Sequence, residues 1–145
     1  KGIKRRFQVV INSKKHIVID DYAHHPNEIN AVWNALKDLF PYEKKCVIFQ
    51  PHLYSRTRDF MNEFAEALSQ FNRVILLPIY PAREIPIEGI ESSVLQKKIK
   101  SKNEVELVTK KKLLSVINNS PEKVKVILGA GDIGMEIEQI KKKLK

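Results

Sequence analysis

Two spacings of hydrophobic residues alternate along the chain. Short runs rich in β-branched and aromatic residues predict strands at residues 7–12, 16–20, 45–49, 74–77, near 104–108 and at 124–128. A short polar turn joins the first two runs, which therefore predict an antiparallel hairpin.

Apolar residues at helical spacing fill the intervals between these runs. They predict helices at residues 26–40, 60–71, near 92–100, near 110–118 and at the C-terminal end. Pro26 suits the first turn of the first helix and Pro41 ends it, whereas Ser55 or Thr57 is available to cap the second. The last helix has one apolar face, formed by Ile133, Ile137, Ile140 and Leu144.

This order of elements indicates the fold class. The 145 residues suit one domain, without an internal repeat or a linker. Because strands alternate with helices, we expect an α/β fold of the Rossmann-like, three-layer type. A mostly parallel sheet of about six strands would carry an antiparallel edge hairpin and helices on both faces.

Composition indicates the cellular setting. No apolar run approaches the ~18–20 residues of a membrane span, and no signal peptide opens the chain. The single cysteine, Cys46, lies in an apolar strand and predicts a buried thiol in a reducing compartment. We therefore expect a cytoplasmic protein without a membrane partner.

The net charge of +9 raises the question of nucleic-acid binding. The lysines cluster at 97, 98, 100 and 102, at 110–112 and at 141–145. These positions fall on predicted helix faces and helix C-termini, where cations also suit the helix dipole, and few aromatic residues are interleaved for base stacking. Solvated helix faces are the better interpretation, and a nucleic-acid partner is disfavoured.

Polar residues with chemical potential follow the strands. His24 and His25, His52 and Arg56, Arg83 and Glu84, and Asp132 all come after the C-terminal end of a predicted strand. In a parallel sheet these ends share one edge, so we expect a ligand-binding edge there. Asp20 is expected to be a structural residue at a strand end, and His16 a structural residue in the hairpin.

Glycines at 129, 131 and 134 match the G-x-G-x-x-G pattern between a strand and a helix. A dinucleotide site needs a further strand with an acidic residue about 20 positions on, and the sequence ends at Lys145. What remains is a possible anion or capping site at Gly129, Gly131 and Asp132. The sequence contains no G-x-x-x-x-G-K-[ST] loop for a triphosphate.

A metal site is a weaker interpretation of the same edge. Its ligands would be drawn from Asp20, Asp21, His24, His25 and His52. Adjacent histidines before a proline rarely both face one ion. The arginines nearby (Arg56, Arg58 and Arg83) would oppose a cation and favour a carboxylate or phosphate. We therefore predict no metal ligands in this chain.

Several motifs resemble those of the Mur ligase family. They are Asp20-Asp21-Tyr22-Ala23-His24-His25-Pro26, Phe49-Gln50-Pro51-His52-Leu53-Tyr54-Ser55-Arg56-Thr57-Arg58 and Gly129-Ala130-Gly131-Asp132-Ile133. The 80–84 loop also resembles the family's, and Lys4-Arg5-Arg6-Phe7 resembles its junction between central and C-terminal domains. Leu53 is a departure, since many members have arginine there.

The resemblance implies that residues 1–145 are the C-terminal domain of an ATP-dependent ligase, with a UDP-sugar domain and a central P-loop domain outside this chain. Among family members the alanine-adding type fits best. In that reaction ATP converts UDP-N-acetylmuramic acid to an acyl phosphate, and L-alanine then forms the amide in peptidoglycan precursor synthesis. Mg²⁺ accompanies ATP, mainly on the central domain, so we expect this chain alone to be inactive.

The resemblance also implies residue roles. Tyr22, His52 and Arg56 would receive L-alanine, with His52 and Arg56 taking part in catalysis. Asp21, His24 and His25 would contact ATP, Asp21 through the ribose. Two alternatives stay open: a related ligase that recycles murein tripeptide onto the same sugar nucleotide, and a stand-alone anion- or nucleic-acid-binding module.

Overall fold

The computed structural model describes residues 5–100 and 105–144. Its strands are β1 (Gln8–Asn12), β2 (Ile17–Asp21), β3 (Lys45–Phe49), β4 (Arg73–Leu76), β5 (Val105–Leu107) and β6 (Val124–Leu128). They form one sheet in the order β1-β2-β6-β3-β4-β5. Only the β1–β2 pair is antiparallel, so the predicted fold class and edge hairpin are confirmed.

Helices cover both faces of the sheet. They are α1 (Pro26–Leu39), α2 (Tyr54–Asp59), α3 (Met61–Leu68), α4 (Ser92–Lys98), α5 (Leu113–Asn119) and α6 (Ile137–Lys143). Short 3₁₀ helices at Lys110–Lys112 and Asp132–Glu136 precede the last two. Within the described ranges, no helix is long and apolar enough to cross a membrane.

An apolar core lies on each face of the sheet, which explains why the central strands are hydrophobic at most positions. Helices α1, α3 and α4 pack on one face, where Phe49 and Phe64 are fully buried, and α5 and α6 pack on the other. Every residue of β3 and β6 is buried because helices cover both sides of these strands. Cys46 lies in this interior as predicted, and burial raises the pKa of its thiol.

The register of the parallel strands aligns their carboxyl ends. Asp21 lies opposite Leu128, Leu128 opposite Phe49, and Phe49 opposite Leu76. Four strands therefore end at one level, and the loops that follow them begin side by side. We call this the carboxyl edge.

The second predicted helix, at residues 60–71, is present as the shorter α3 (Met61–Leu68), but its predicted cap is wrong. Ser55 and Thr57 lie inside a separate short helix, α2, which begins at Tyr54 and was not predicted. At Phe60, between the two helices, the backbone leaves the helical region (φ −120°, ψ 26°) while the ring packs against His25. The start of α2 is capped by a residue distant in sequence, Glu84.

Smaller differences concern element ends. The last helix begins as a 3₁₀ turn at Asp132, although its predicted apolar face is buried. Strand β4 starts and ends one residue earlier than predicted, and the helix predicted near 110–118 opens as 3₁₀. Predictions at Lys4, at the start of the strand near 104 and at Lys102 and Lys145 lie outside the described residues.

A buried polar group lies at the opposite end of the sheet. Lys125, on central strand β6, is fully buried; its ammonium nitrogen lies 3.1 Å from His16 Nδ1 and donates to the carbonyl of Glu122. The carboxylate of Glu122 pairs with Arg73 at 2.9 Å. His16 is thus structural, as predicted.

This cluster gives the fold a pH dependence. Burial, with the nearby Lys125, lowers the pKa of His16 from 6.5, so just below that pH the unfolded chain binds more protons at this site than the folded chain. The free energy of unfolding should therefore fall as the pH drops from 7 to about 5.5. Thermal unfolding across that range should show a smaller fall for His16→Asn than for the unsubstituted chain; equal slopes would contradict the assignment.

Candidate functional site at the carboxyl edge of the sheet

The loops after β2, β3, β4 and β6 bring the predicted site residues together. The ring of His24 lies 5.3 Å from Tyr22 and 5.8 Å from His52, centroid to centroid. The ring of Tyr80 lies 5.6 Å from the ring of His52. Residues from three loops thus form one continuous aromatic and imidazole surface.

The two aspartates at the end of β2 have different surroundings. Asp20 is buried and accepts hydrogen bonds from the guanidinium of Arg5 at 2.8–3.2 Å, so it is structural as predicted. Asp21 is half-buried; its two carboxylate oxygens accept from the backbone N–H groups of Phe7 (2.7 Å) and Ala23 (2.8 Å). Burial raises the pKa of Asp21, against the effect of these hydrogen bonds.

The two histidines that follow also differ. Nδ1 of His24 lies 3.0 Å from the carbonyl of Tyr22, which orients the ring toward His52. His25 is the N-cap of α1, and its ring packs 4.6 Å from Phe60. The carboxylate of Glu28 accepts from the backbone N–H of both histidines at 2.9 and 3.1 Å. His24 therefore faces the shared surface, whereas His25 packs at the junction between α2 and α3.

His52 is the most unusual of the imidazoles. Its Nδ1 is buried without a hydrogen-bond partner among the described residues. Burial lowers the pKa of His52, and the nearby His24 and Arg56 lower it further. The ring is therefore neutral at pH 7, and its Nδ1 lacks a hydrogen-bond partner among the described residues.

Arg56 lies on α2 beside His52. Its side chain is half-buried, and within residues 5–100 and 105–144 its guanidinium makes no hydrogen bond or ion pair. Arg58, two residues on, is exposed and pairs with Asp59 at 2.8 Å. Of these two arginines, Arg56 is the one whose donors remain available for a carboxylate.

The loop after β4 supports this region. Tyr80 forms a β-bridge with His52, and the carboxylate of Glu84 accepts from the start of α2. Arg83 is exposed and points to no partner within the described residues. The two neighbouring residues therefore differ: the Arg83 side chain is solvated, whereas Glu84 has a structural role.

The glycine loop after β6 packs against its neighbours. A Cβ on Gly131 would lie 2.6 Å from both Gln50 Oε1 and the ring of Tyr80, so only glycine fits. The Ile133 N–H donates to Gln50 Oε1 at 3.1 Å, and Asp132 accepts from Gln50 (2.7 Å) and Lys110 (2.6 Å). Asp132 is thus not the cap of the 3₁₀ turn, whose N-cap is Gly131, and its carboxylate is held by Gln50 and Lys110.

Sequence reasoning missed three residues of this edge. Arg5 links Asp20, the carbonyl of Gly129 (2.7 Å) and the face of Tyr22. Gln50 joins β3 to the glycine loop, and Tyr80 covers Gly131. The position of Gln50 directly after β3 was a usable signal, whereas nothing in the sequence pairs Arg5 with Asp20.

In the described part of the chain, no three side chains of His, Cys, Asp or Glu converge as ligands for a metal ion. The geometry instead offers neutral imidazole, a guanidinium and aromatic faces, a set suited to a small zwitterion or an anionic ligand.

Comparison with known proteins identifies the family of this chain. The family model described as "Mur ligase, glutamate ligase domain" matches residues 5–133. The UDP-N-acetylmuramate–L-alanine ligase of Flavobacterium psychrophilum is 54% identical over 144 residues, covering 99% of this chain and 32% of that protein. The chain therefore spans about a third of the length of such relatives.

Solved structures share the fold. The UDP-N-acetylmuramate-alanine ligase of Thermotoga maritima superposes with a TM-score of 0.74 at 31% identity, over 96% of this chain and 29% of that one. A murein peptide ligase from Psychrobacter arcticus gives 0.72 at 15% identity, over 98% and 31%, which shows the fold alone. With the family model covering nearly the whole chain, this protein belongs to the Mur ligase family.

Proposed function

We propose that this chain is the C-terminal domain of a UDP-N-acetylmuramate–L-alanine ligase, in which it receives L-alanine and closes over ATP. The observation that carries the proposal is the pair formed by Arg56, whose guanidinium is unpaired among the described residues, and His52, whose Nδ1 has no partner there. Relatives at 41–54% identity that carry this activity by name support it.

The proposed reaction joins an activated carboxylate to an amine. ATP converts the lactyl carboxylate of UDP-N-acetylmuramic acid into an acyl phosphate, and the amine of L-alanine then displaces phosphate. The sugar nucleotide and most ATP and Mg²⁺ contacts belong to the N-terminal and central domains of the longer protein. This domain contributes positioning and charge stabilisation, which supply a large part of the rate in such reactions.

Arg56 is assigned to the carboxylate of L-alanine. A guanidinium presents two parallel N–H donors to a carboxylate and holds it in one orientation. Tyr22 is 41% exposed, and its ring lies beside that of His24. We assign it to the boundary of the space for the methyl group of L-alanine. The alanine nitrogen would then lie toward His52.

His52 is assigned to that nitrogen. L-alanine arrives as an ammonium ion and must lose a proton before it attacks. The lowered pKa keeps the His52 ring neutral at pH 7, so it can accept a hydrogen bond from the ammonium group or take its proton. In this role His52 is a catalytic residue together with Arg56.

The nucleotide is assigned to the β2 end of the carboxyl edge. A carboxylate offers about four acceptor sites, so Asp21 can accept from ribose hydroxyls in addition to its two backbone donors. His24 lies between this position and His52, within reach of phosphate. His25 contributes through the N-terminus of α1, which its backbone caps. We assign no anion to the glycine loop at Gly129 and Gly131; its glycines instead allow the close packing of Gln50 and Tyr80.

The choice of acceptor tests the proposal directly. The full-length ligase should release phosphate from ATP and UDP-N-acetylmuramic acid only when L-alanine is added, and this chain alone should show no turnover. Phosphate release that requires the murein tripeptide would establish the related recycling ligase instead. DNA binding at physiological salt without ligase activity would favour a binding module.

Replacing Arg56 tests the carboxylate assignment. Arg56→Ala in the full-length enzyme should raise the KM for L-alanine roughly 10- to 100-fold, because a charge-assisted hydrogen bond contributes about 1.5–3 kcal/mol. The matched control is Arg58→Ala, since Arg58 is exposed and paired with Asp59. An unchanged alanine KM in Arg56→Ala would remove the assignment.

The pH profile tests the role of His52. The pKa of His52 is lowered from 6.5. The value of kcat/KM for L-alanine should therefore fall toward acid pH, with a midpoint below 6.5, as the ring becomes protonated. His52→Gln should lower kcat/KM and abolish this fall. A fall that persists in the variant would assign the titration to another group.

A further inference from the structure

Two neighbouring loops of the carboxyl edge are joined through their backbones. The Tyr80 N–H donates to the carbonyl of Pro51, and the Leu53 N–H donates to the carbonyl of Tyr80, both at 2.8 Å. These bonds form the parallel bridge between His52 and Tyr80. The loop after β4 therefore holds the 51–53 segment in place through backbone hydrogen bonds.

Glu84, in the same loop, also connects it to the start of α2. One oxygen of its carboxylate accepts from the N–H of Tyr54 (2.6 Å) and of Ser55 (3.0 Å), and the other accepts from the Ser55 hydroxyl. The hydrogen bonds from Ser55 lower the pKa of Glu84, so the group is ionised at neutral pH. Three donors at one helix N-terminus thus converge on one carboxylate from another loop.

Helix α2 has no comparable support of its own. Its N-cap position is held by Leu53, which has no side-chain acceptor and adopts a left-handed backbone (φ +74°). Its first turn contains no acidic residue, and a helix of six residues is too short to be stable in isolation. Its first N–H groups are therefore satisfied from outside, by Glu84.

The proposed alanine contacts lie at this helix start. Arg56 is in the first turn of α2, and His52 directly precedes the N-cap Leu53. We propose that Glu84 is a positioning residue of the acceptor site: by capping α2 it fixes Arg56 and His52 relative to each other. This inference rests on the proposed function. It assigns to Glu84 a role in binding the acceptor amino acid without touching it.

The test compares variants of the full-length ligase in a phosphate-release assay. Glu84→Ala should raise the KM for L-alanine about 10- to 100-fold, as expected when binding groups are displaced by about 1 Å, while the KM for ATP stays unchanged. Glu84→Gln keeps one acceptor oxygen and should give an intermediate KM. Glu88→Ala is the control, since Glu88 is an exposed carboxylate of the same loop.

A double-mutant cycle separates positioning from a general loss of stability. Ser55→Ala alone should raise the alanine KM modestly, and Ser55→Ala with Glu84→Ala should be no worse than Glu84→Ala, because both act through one contact. If Glu84→Ala does not fold, Glu84→Gln and Ser55→Ala carry the same comparison.

Two outcomes overturn the inference. One is an alanine KM in Glu84→Ala and Glu84→Gln equal to that of Glu88→Ala; the other is an equal rise in the KM values for alanine and ATP. Failure of the proposed function looks different, because the unsubstituted enzyme would then not require L-alanine. The same variants would in that case be judged by the KM of the acceptor that the enzyme does require.

Discussion

The parallel register of four strands is the constraint on which the rest of the structure depends. Because β2, β6, β3 and β4 end level with one another, at Asp21, Leu128, Phe49 and Leu76, their loops start side by side. Burial on both faces keeps this register, since a shift of β3 or β6 by one residue would move buried apolar side chains to new surroundings. An imidazole from one loop can therefore lie within 6 Å of an imidazole from another.

Polar contacts between the loops then set the detailed positions. Arg5 ties the end of β2 to the glycine loop, Gln50 ties that loop to the end of β3, and Glu84 ties the loop after β4 to α2. Close packing adds to this, because Gly131 leaves room for the ring of Tyr80. Structural residues thus occupy their hydrogen-bonding groups with one another, whereas Arg56 and Nδ1 of His52 lack partners among the described residues.

Local patterns were enough to predict most of the elements and the sheet edge at which the candidate site residues meet. The hairpin, α1 between Pro26 and Leu39, and the sorting of polar residues to strand ends all follow from short-range periodicity and sheet geometry. The break at Phe60 and the Glu84 cap did not follow, because each depends on contacts between segments about 30 residues apart. The burial of Lys125 did not follow either, because its partners His16 and Glu122 are brought to it by the fold. The roles of individual site residues remain predictions, since they concern ligands and not contacts within the chain.

The most direct test of the account is a structure of the full-length ligase with a non-hydrolysable ATP analogue and L-alanine bound. We expect the alanine carboxylate to lie on the guanidinium of Arg56 with the alanine nitrogen toward His52, and the ribose to lie near Asp21 on the same carboxyl edge. Alanine bound away from Arg56 and His52, or a nucleotide that leaves this edge of the domain untouched, would contradict it.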